Sequence, residues 1–494
     1  MYNKLKLIPL MRFALKYFLA CLGIIVINDR AVSQMSVSDN AVVYSTNSGS
    51  TVQDTNQLFI IHDIIISGNE KTKPAIILRE LPFKINEQYP LGTIVQQFKK
   101  ARKQLMNTGL FRDVVVSLNN LDDHDVYVNV AVQEKWYVWP KAFLRPVDKS
   151  FGEWWTEKNR NTDRINYGLR LLHNNFTGRN DKLRISLMNG YTRQISLQYY
   201  GLWLDKDLKW STNSGISYGQ NREVNYMTLD NKQIPVKGNN DFLRSYVGGF
   251  LQLNYRPAIK TIHTFSIGYT YESVADTVFK LNPDFSSDAN IIQYPEIFYK
   301  LSYFDVDYIP YPTKGFLGEV SLKKKGFGIN SAVNLWEFTA KASQTWLLNK
   351  NYFFNLKGLG MVKLPFSQPY TGQQFIGYEG KYLQGYEYYV VDGVAGGYSK
   401  ASLSRLIFKT RISIPSQRLK SLNSIPIKLY AKTFVNTGYI YNATAGENKL
   451  TNTILYSGGI GFDLVSFNDF IIKLEWSFNR LGENGLYLHQ RSDF

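Results

Sequence analysis

The sequence is poor in the residues that build covalent scaffolds and metal centres. Its 494 residues include one cysteine and five histidines. A single cysteine cannot close a disulfide within the chain, so a disulfide-stapled scaffold is excluded. No histidine stands at metal-ligand spacing from another histidine or from the cysteine, and no P-loop or dinucleotide fingerprint occurs. We therefore predict that the protein is not an enzyme and that it holds neither a metal nor another cofactor.

Long apolar runs are also missing beyond the first thirty residues, which excludes helical membrane spans from the rest of the chain. Aromatic residues are abundant instead, with 34 Tyr and 30 Phe. This much apolar surface excludes a disordered chain. The mean hydropathy of -0.25 is nevertheless that of a soluble protein. Two classes remain: a water-soluble aromatic protein, and a transmembrane β-barrel, whose alternating strands are only half apolar.

The first 33 residues have the layout of a secretory signal peptide. Four basic residues precede the apolar stretch 17–27, and the small residues Ala31 and Ser33 stand just before a cleavage site. An N-terminal membrane anchor is the alternative, although the apolar stretch is short for one. Cleavage after Ser33 removes five basic groups, one acidic group and the cysteine, and lowers the net charge from +17 to +13. Residues 34–56 are predicted to be a flexible linker.

Residues 57–136 have the pattern of a small α/β domain. Apolar stretches, two of them with a period of two, predict three strands, and apolar residues at helical spacing predict two helices after the first strand. Thr72 is placed to cap the first helix and Gly109 to end the second. The expected order is therefore β-α-α-β-β. The predicted elements are strands at 58–67, 114–118 and 126–132, a helix near 72–81 and a helix at 91–107.

Residues 137–494 are predicted to form a transmembrane antiparallel β-barrel, so the fold class is mainly β. From Asp163 onwards, apolar and polar residues alternate with a period of two between polar turns. A soluble β-sandwich would show the same period, so alternation alone does not decide between the two folds. The barrel is favoured because charges such as Lys473 and Glu475 lie opposite a stripe of rings, and aromatic residues concentrate at likely strand ends. At about 22 residues for each strand and turn, we expect about 16 strands.

Short segments in both predicted domains match a known pattern. The small domain has a Gly-Asn turn, then Thr72, then Gly-Leu-Phe after the second helix. The matching segments are 65–69, 77–79, 109–111 and 132–134 in the small domain, and 135–140, 305–307, 312–315, 375–377, 383–386 and 396–397 beyond it. The first group resembles a polypeptide-transport-associated (POTRA) repeat. With the second group, the chain resembles the BamA/TamA family of outer-membrane assembly and translocation barrels, which implies one POTRA-like domain before the barrel.

The resemblance also implies a loop inside the barrel. In the family, a long extracellular loop folds back into the lumen, where an Arg-Gly-aromatic tip pairs with acidic residues of the inner wall. Gln384 takes the place of the arginine here, so a neutral amide contact is expected instead of a guanidinium–carboxylate contact. The loop motif is Leu383, Gln384, Gly385 and Tyr386, and the candidate partners on the barrel are Asp305, Asp307 and Arg405.

Two strand edges are expected to handle polypeptides. An exposed edge of the POTRA-like domain would take up a client as an added strand. The final strand, after Gly485, looks like the segment that the assembly machinery recognises, and it is expected to pair with residues 164–172 and close the barrel. The candidate residues are Ile64, Ile65, Ile66, Val128 and Val130 for the client edge, and Leu486, Leu488 and Phe494 for the C-terminal signal.

These features predict a factor of the bacterial outer membrane, with its small domain in the periplasm, that assembles or translocates proteins. The expected partners are unfolded outer-membrane or secreted polypeptides, outer-membrane lipids, lipopolysaccharide and accessory lipoproteins. Nucleic acid is not expected, since Lys323–Lys325 is an isolated basic run. The alternative is a passive channel or porin with a vestigial periplasmic module, which the Gln384 replacement and the single repeat favour. A third possibility is an adhesin or structural anchor, for which no repeat is visible.

Overall fold

The computed structural model describes residues 58–122, 124–146, 159–238, 241–287, 290–328, 333–378, 380–412, 425–466 and 469–489. The predicted signal peptide, the predicted linker and Phe494 lie outside these ranges. Within them, no helix is long and apolar enough to cross a membrane.

The N-terminal domain is a four-stranded sheet covered by two helices. Its sheet order is β2-β1-β4-β3, with β1 and β4 parallel and the other pairs antiparallel. The predicted β-α-α-β-β order is therefore confirmed, with one short strand added before the second helix. The elements are β1 (Leu58–Ser67), α1 (Pro74–Arg79), β2 (Gln88–Pro90), α2 (Leu91–Asn107), β3 (Phe111–Asp122) and β4 (Asp125–Glu134).

The core of this domain lies where the helices meet the sheet. The inward residues of α2 recur at helical spacing, and the inward residues of β4 alternate with a period of two, as predicted. Burying each large apolar side chain stabilises the fold by roughly 1.5–3 kcal/mol. Gly109 follows α2 with a φ of +75°, as expected at the end of a helix. The fully buried residues include Ile76, Ile77, Ile94, Phe98, Ala101, Leu105, Val114, Val126, Val128 and Val130.

The predicted capping role of Thr72 is wrong. Helix α1 has Lys73 as its N-cap residue, with no side-chain cap, and Pro74 stands in the first turn. The Thr72 side chain is buried and turns towards the barrel instead. Its hydroxyl lies 3.1 Å from the Tyr137 hydroxyl and accepts a hydrogen bond of 2.9 Å from Asn175 Nδ2. A contact across the domain junction thus takes precedence over a local cap.

The remainder of the described chain forms a 16-stranded antiparallel barrel sheet, which confirms the expected fold class and strand number. Each strand pairs with the next one in the sheet in an antiparallel register. The strands are β5 (Val138–Pro146), β6 (Ile165–Asn174), β7 (Lys182–Gly190), β8 (Thr192–Trp203), β9 (Trp210–Asn221), β12 (Arg244–Ala258), β13 (Thr261–Val274), β14 (Ile291–Val306), β15 (Gly315–Lys325), β16 (Leu335–Leu347), β17 (Tyr352–Leu364), β20 (Ala395–Ile412), β21 (Ile425–Tyr441), β22 (Ile454–Val465), β23 (Ile471–Asn479) and β24 (Asn484–His489).

Five further elements, which form a hairpin, a helix and a small sheet, lie in the connections between barrel strands. A separate hairpin follows β9, a short helix follows β13, and a small two-stranded sheet lies in the long loop between β17 and β20. They are β10 (Glu223–Leu229) with β11 (Lys232–Lys237), α3 (Asp276–Leu281), and β18 (Gln374–Ile376) with β19 (Val391–Asp392). Single turns of 3-10 helix occur at Thr162–Arg164 and Tyr370–Gly372.

The two faces of the barrel sheet differ in polarity, as the sequence predicts. On β23, Lys473, Glu475 and Ser477 are buried, whereas Trp476 and Phe478, on either side of Ser477, are exposed. The outward face is thus apolar and rich in aromatic side chains, and the inward face carries charged side chains. A lipid-facing barrel requires this distribution.

The expected pairing of the final strand with residues 164–172 is wrong. Strand β6 is already paired with β5 on one side and with β7 on the other. The first barrel strand is β5, so β5 and β24 are the two end strands of the sheet. Strand β5 contains two prolines, Pro140 and Pro146, which interrupt its apolar–polar alternation. A proline has no backbone N–H to donate to a neighbouring strand, so it is tolerated in an edge strand such as β5.

Candidate functional site: the buried loop and the terminal strands

The loop between β17 and β20 returns into the barrel, as the resemblance implies. Leu383 and Tyr386 are buried against Ile440 and Leu455 of the barrel wall. The two strands of the small loop sheet, β18 and β19, carry the buried residues Phe375 and Val391 into the same cluster. This apolar packing holds the tip of the loop against the inner wall of the barrel.

Gln384 makes the neutral amide contact that the sequence predicts. Its Nε2 donates a 2.9 Å hydrogen bond to Glu475 Oε1, and both side chains are buried. The same carboxylate is paired with Lys432, which also lies 2.7 Å from Asp463 Oδ1. Lys432 stands on β21, so this cation comes from the wall and not from the loop.

Gly385 lets the loop backbone approach the wall closely. Its φ is +90°, a conformation that side chains rarely adopt. A Cβ at this position would lie 3.2 Å from Ser457 Cβ and 3.3 Å from the Phe478 carbonyl oxygen. The Gly385 carbonyl accepts a 2.8 Å hydrogen bond from Asn479 Nδ2, and the Tyr386 hydroxyl donates to the Tyr456 carbonyl at 2.9 Å. The Gly-aromatic pair therefore fastens the loop to β22 and β23.

Three residues without a predicted role gather beside this contact. Glu387 follows the loop motif, Glu475 lies on β23 and His489 lies on the terminal strand β24. The His489 Nε2 atom is 3.3 Å from Glu387 Oε1 and 3.3 Å from Glu475 Oε2. These residues are far apart in sequence, so no local spacing could have revealed the cluster. The inward alternation of Lys473 and Glu475 was the only sequence signal for this part of the wall.

The prediction that Asp305, Asp307 and Arg405 are partners of the loop is wrong. Asp305 pairs at 2.6 Å with both Lys103 and Lys260. Asp307 instead accepts a 2.9 Å hydrogen bond from the Thr313 amide in the turn before β15. Strand alternation turns Arg405 outwards beside the Tyr352 ring, at 5.2 Å from its centroid. Asp305 thus contributes to the contact between the two domains, and Asp307 stabilises the turn before β15.

Strand pairing contradicts one half of the predicted client edge, and the other half stays a prediction. Val128 and Val130 lie on β4, an interior strand paired with β1 on one side and β3 on the other, so they cannot accept an added strand. Their period-2 pattern indicated a strand but carried no information on its place in the sheet. Ile64, Ile65 and Ile66 pair with β4 on one side, whereas β2 reaches only Leu58–Ile60 on the other. Among the described residues, this outer half of β1 has no strand beyond it.

The C-terminal signal residues occupy an end strand. Strand β24 pairs with β23, and Leu486 and Leu488 face outwards, with exposures of 56% and 69%. Their outward direction suits a lipid-facing strand. Phe494, the third predicted residue, belongs to the part of the chain that the structure leaves undescribed.

Loops between the strands cover the inserted loop. The Asn231 side chain, at the turn of the β10–β11 hairpin, donates a 3.2 Å hydrogen bond to the Val390 carbonyl and accepts one of 3.0 Å from the Leu450 amide. Tyr389 donates a 2.7 Å hydrogen bond to Glu483. Burial, together with this carboxylate, raises the pKa of Tyr389 to about 12. The loop is therefore held by the neighbouring loops as well as by the wall.

The POTRA-like domain contacts the opposite end of the barrel. Glu80, which is 1% exposed, accepts hydrogen bonds of 2.5 and 2.9 Å from Arg256 at the end of β12. Lys135 pairs with Asp469 at 2.9 Å. Burial raises the pKa of the Tyr137 hydroxyl, which lies between Thr72 and the barrel. The two domains thus meet through desolvated polar contacts.

The sequence contains one segment with the spacing of a hydrolase nucleophile motif, but the segment does not have the backbone geometry of that motif. Gly215–Gly219 has the spacing G-x-S-x-G, which in a nucleophile elbow occupies a sharp turn between strand and helix. Here the serine, Ser217, lies within β9 and pairs with Ser196 and Gly248 on its two sides. An extended, doubly paired serine does not have the elbow geometry.

Comparison with known proteins identifies the N-terminal domain. Residues 59–135 match the POTRA family, described as "Surface antigen variable number repeat". No curated protein sequence matches the chain. Residues 59–135 are thus a POTRA domain, and a 16-stranded antiparallel sheet follows it in the described part of the chain.

Three solved structures are similar to this chain at low sequence identity and with TM-scores below 0.5. BamA from Haemophilus ducreyi lacking POTRA domains 1-3 is 14% identical with a TM-score of 0.45, covering 87% of this chain and 83% of that one. CdiB from Escherichia coli is 11% identical with a TM-score of 0.49, covering 88% and 74%. CdiB from Acinetobacter baumannii is 12% identical with a TM-score of 0.46, covering 87% and 74%. The fold assignment rests on the strand pairing itself.

Proposed function

We propose that this protein helps polypeptides to insert into, or pass across, the bacterial outer membrane, with its POTRA domain in the periplasm. The observation that supports this most is the open outer half of β1, in a POTRA domain that is joined to the barrel by buried contacts. The clients are unfolded outer-membrane or secreted polypeptides. Outer-membrane lipids, lipopolysaccharide and accessory lipoproteins are further partners, and nucleic acid is not one. The role needs no enzymatic step.

Strand addition at β1 follows from ordinary sheet chemistry. Ile61 bonds through its backbone to Asn86 and Glu87. Beyond Ile61, the edge of β1 that faces away from β4 has backbone donors and acceptors without a neighbouring strand among the described residues. An extended client can satisfy them, and its side chains then meet Ile65, which is 42% exposed. Main-chain recognition of this kind suits many sequences, as an assembly factor requires.

Transfer at the barrel can proceed without nucleotide. A client that buries its apolar face in lipid gains free energy from the hydrophobic effect. The barrel needs only to lower the barrier to that state, and its end strands β5 and β24 are where a client strand could enter the sheet. A strand paired on both sides would leave no backbone group unsatisfied in lipid.

A passive channel is the second candidate, and the inserted loop weighs against it. Leu383, Gln384 and Tyr386 are buried inside the barrel, and loops beyond them hold the insertion in place. We expect purified protein in planar bilayers to show small or rare openings. A large, steady conductance would favour the channel instead.

A photo-reactive residue at Ile65 tests client binding directly. Ile65 and Leu78 are both 42% exposed apolar residues of the POTRA domain, but Leu78 lies on the helix α1 and not on a strand. We expect crosslinks to newly exported outer-membrane or secreted polypeptides from position 65 and few from position 78. Depletion of the protein should lower the level of the crosslinked clients in the membrane. Equal crosslinking at both positions, or unchanged client levels, would contradict the proposal.

A further inference from the structure

Three potential metal ligands converge where the inserted loop meets the last two strands. Glu387 comes from the loop, Glu475 from β23 and His489 from β24. One ligand atom of each lies within 4.8 Å of the other two. The side chains are 13%, 0% and 17% exposed, so the cluster is largely shielded from water.

The spacing of these atoms suits a bound cation better than a hydrogen bond. His489 Nε2 lies 3.3 Å from Glu387 Oε1 and from Glu475 Oε2. Among the described residues, neither Nε2 nor Glu387 Oε1 makes a hydrogen bond, although both atoms are buried. Hydrogen bonds from nitrogen to oxygen are usually about 2.7–3.2 Å long. Ligand atoms at about 2.0–2.1 Å from a tetrahedral ion lie about 3.3–3.4 Å apart.

Each ligand is held in place by a second contact. Glu387 Oε2 accepts a 2.8 Å hydrogen bond from the Gly385 amide, which leaves Oε1 directed at the cluster. Glu475 Oε1 is engaged by Gln384 and Lys432, which leaves Oε2 facing His489. The Tyr382 ring stacks on the imidazole, with centroids 4.7 Å apart. Contacts of this kind orient the ligands in metal sites.

We propose that Glu387, Glu475 and His489 bind one Zn²⁺ ion, with water as a fourth ligand. A mixed set of imidazole nitrogen and carboxylate oxygen suits zinc, whereas calcium and magnesium prefer oxygen alone. The dication offsets the charge of Glu387 and adds to the compensation that Lys432 gives Glu475. Because the ligands belong to the loop, β23 and β24, the ion fastens the loop to the terminal strand. The site goes beyond the proposed function and does not depend on it.

Zinc titration of the whole protein tests the site. The untagged chain, folded in detergent micelles and treated with EDTA, is titrated with ZnSO₄ in a calorimeter, and with Co²⁺ while the visible spectrum is recorded. We expect one ion per chain and the strong absorption of four-coordinate Co²⁺. Loss of a ligand in His489→Gln or Glu387→Gln should weaken zinc binding at least about tenfold, since even outer contacts are worth that much.

A matched histidine separates this site from adventitious binding. His62 also lies near a carboxylate, 3.6 Å from Asp125, but in the POTRA domain. His62→Gln should bind zinc as the unaltered protein does. Zinc should also raise the melting temperature of the unaltered chain and of His62→Gln, but not of His489→Gln. Binding below one ion per chain, a six-coordinate Co²⁺ spectrum, or unchanged affinity in both ligand variants would overturn the proposal. The heat-dependent gel shift of each variant verifies that its barrel is folded.

Discussion

At the scale of single residues, Glu475 is the centre of the loop contact. It is fully buried, and it meets Gln384 from the loop, Lys432 from the wall and His489 from the last strand. A buried carboxylate is costly unless charges and hydrogen bonds compensate it. The loop therefore needs only an amide at position 384, because the wall supplies the cation.

This arrangement predicts a large effect for Lys432→Met. The change leaves Glu475 and Asp463 without their shared ammonium group, and we expect a loss of about 3–5 kcal/mol in the free energy of unfolding. Urea titration in micelles measures it. The control is Lys341→Met, since Lys341 is 39% exposed and 3.8 Å from Glu319, where an ion pair contributes about 1 kcal/mol or less. Adding Gln384→Arg to Lys432→Met should restore part of the stability. Equal losses in the two lysine variants would contradict this account.

The Gly385 position predicts a second residue-scale effect. Gly385→Ala combines an unfavourable φ with a methyl group 3.2 Å from Ser457 Cβ, and we expect a loss of about 1–3 kcal/mol. Gly482→Ala is the matched control, because Gly482 has a φ of +76° and open space around it. The difference between their unfolding free energies isolates the contact with the wall. If both variants lose the same amount, backbone conformation alone explains the effect.

At the scale of elements, the POTRA domain and the barrel are joined by a set of buried and partly buried polar contacts. Arg256→Gln removes the cation that binds Glu80 from the barrel side, although Arg79 remains beside it. We expect faster hydrogen exchange at the junction while the barrel keeps its folded gel mobility. Arg102→Gln, which breaks a more exposed pair with Asp113 inside the POTRA domain, should leave the junction unchanged. Unchanged exchange in Arg256→Gln would mean that other contacts suffice.

Elements with a regular period could be predicted from the sequence, and elements set by distant partners could not. The strand 58–67 and the helix 91–107 agree with the structure because one buried face fixes their spacing. Strand β5 was missed as a strand because its two prolines mask the alternation. The β10–β11 hairpin and the loop sheet depend on contacts between loops. Likewise, the family resemblance predicted the position of Gln384 at the tip of the loop. Its partner Glu475 could not be predicted, because the register of β23 determines which side chain lies beside Gln384.

At the scale of the whole molecule, the loop and the end strands form one unit. The loop tip contacts β22 and β23, and the Glu387–His489 contact reaches the end strand β24. A client that enters the sheet at β24 would therefore disturb the contacts that hold the loop. We expect loop release and client insertion to be coupled.

A reversible lock on the loop tests this coupling. A Cβ at Gly385 would lie 3.2 Å from Ser457 Cβ, close to the separation of about 3.5–4.5 Å found across disulfides. The double variant Gly385→Cys with Ser457→Cys should crosslink the loop to β22 when oxidised. We expect oxidation to stop client insertion in proteoliposomes and reduction to restore it. Each single variant, treated in the same way, separates the lock from the strain at Gly385. If the crosslinked protein still inserts its client fully, the loop stays in place while the client enters. Loop release and client insertion would then be independent.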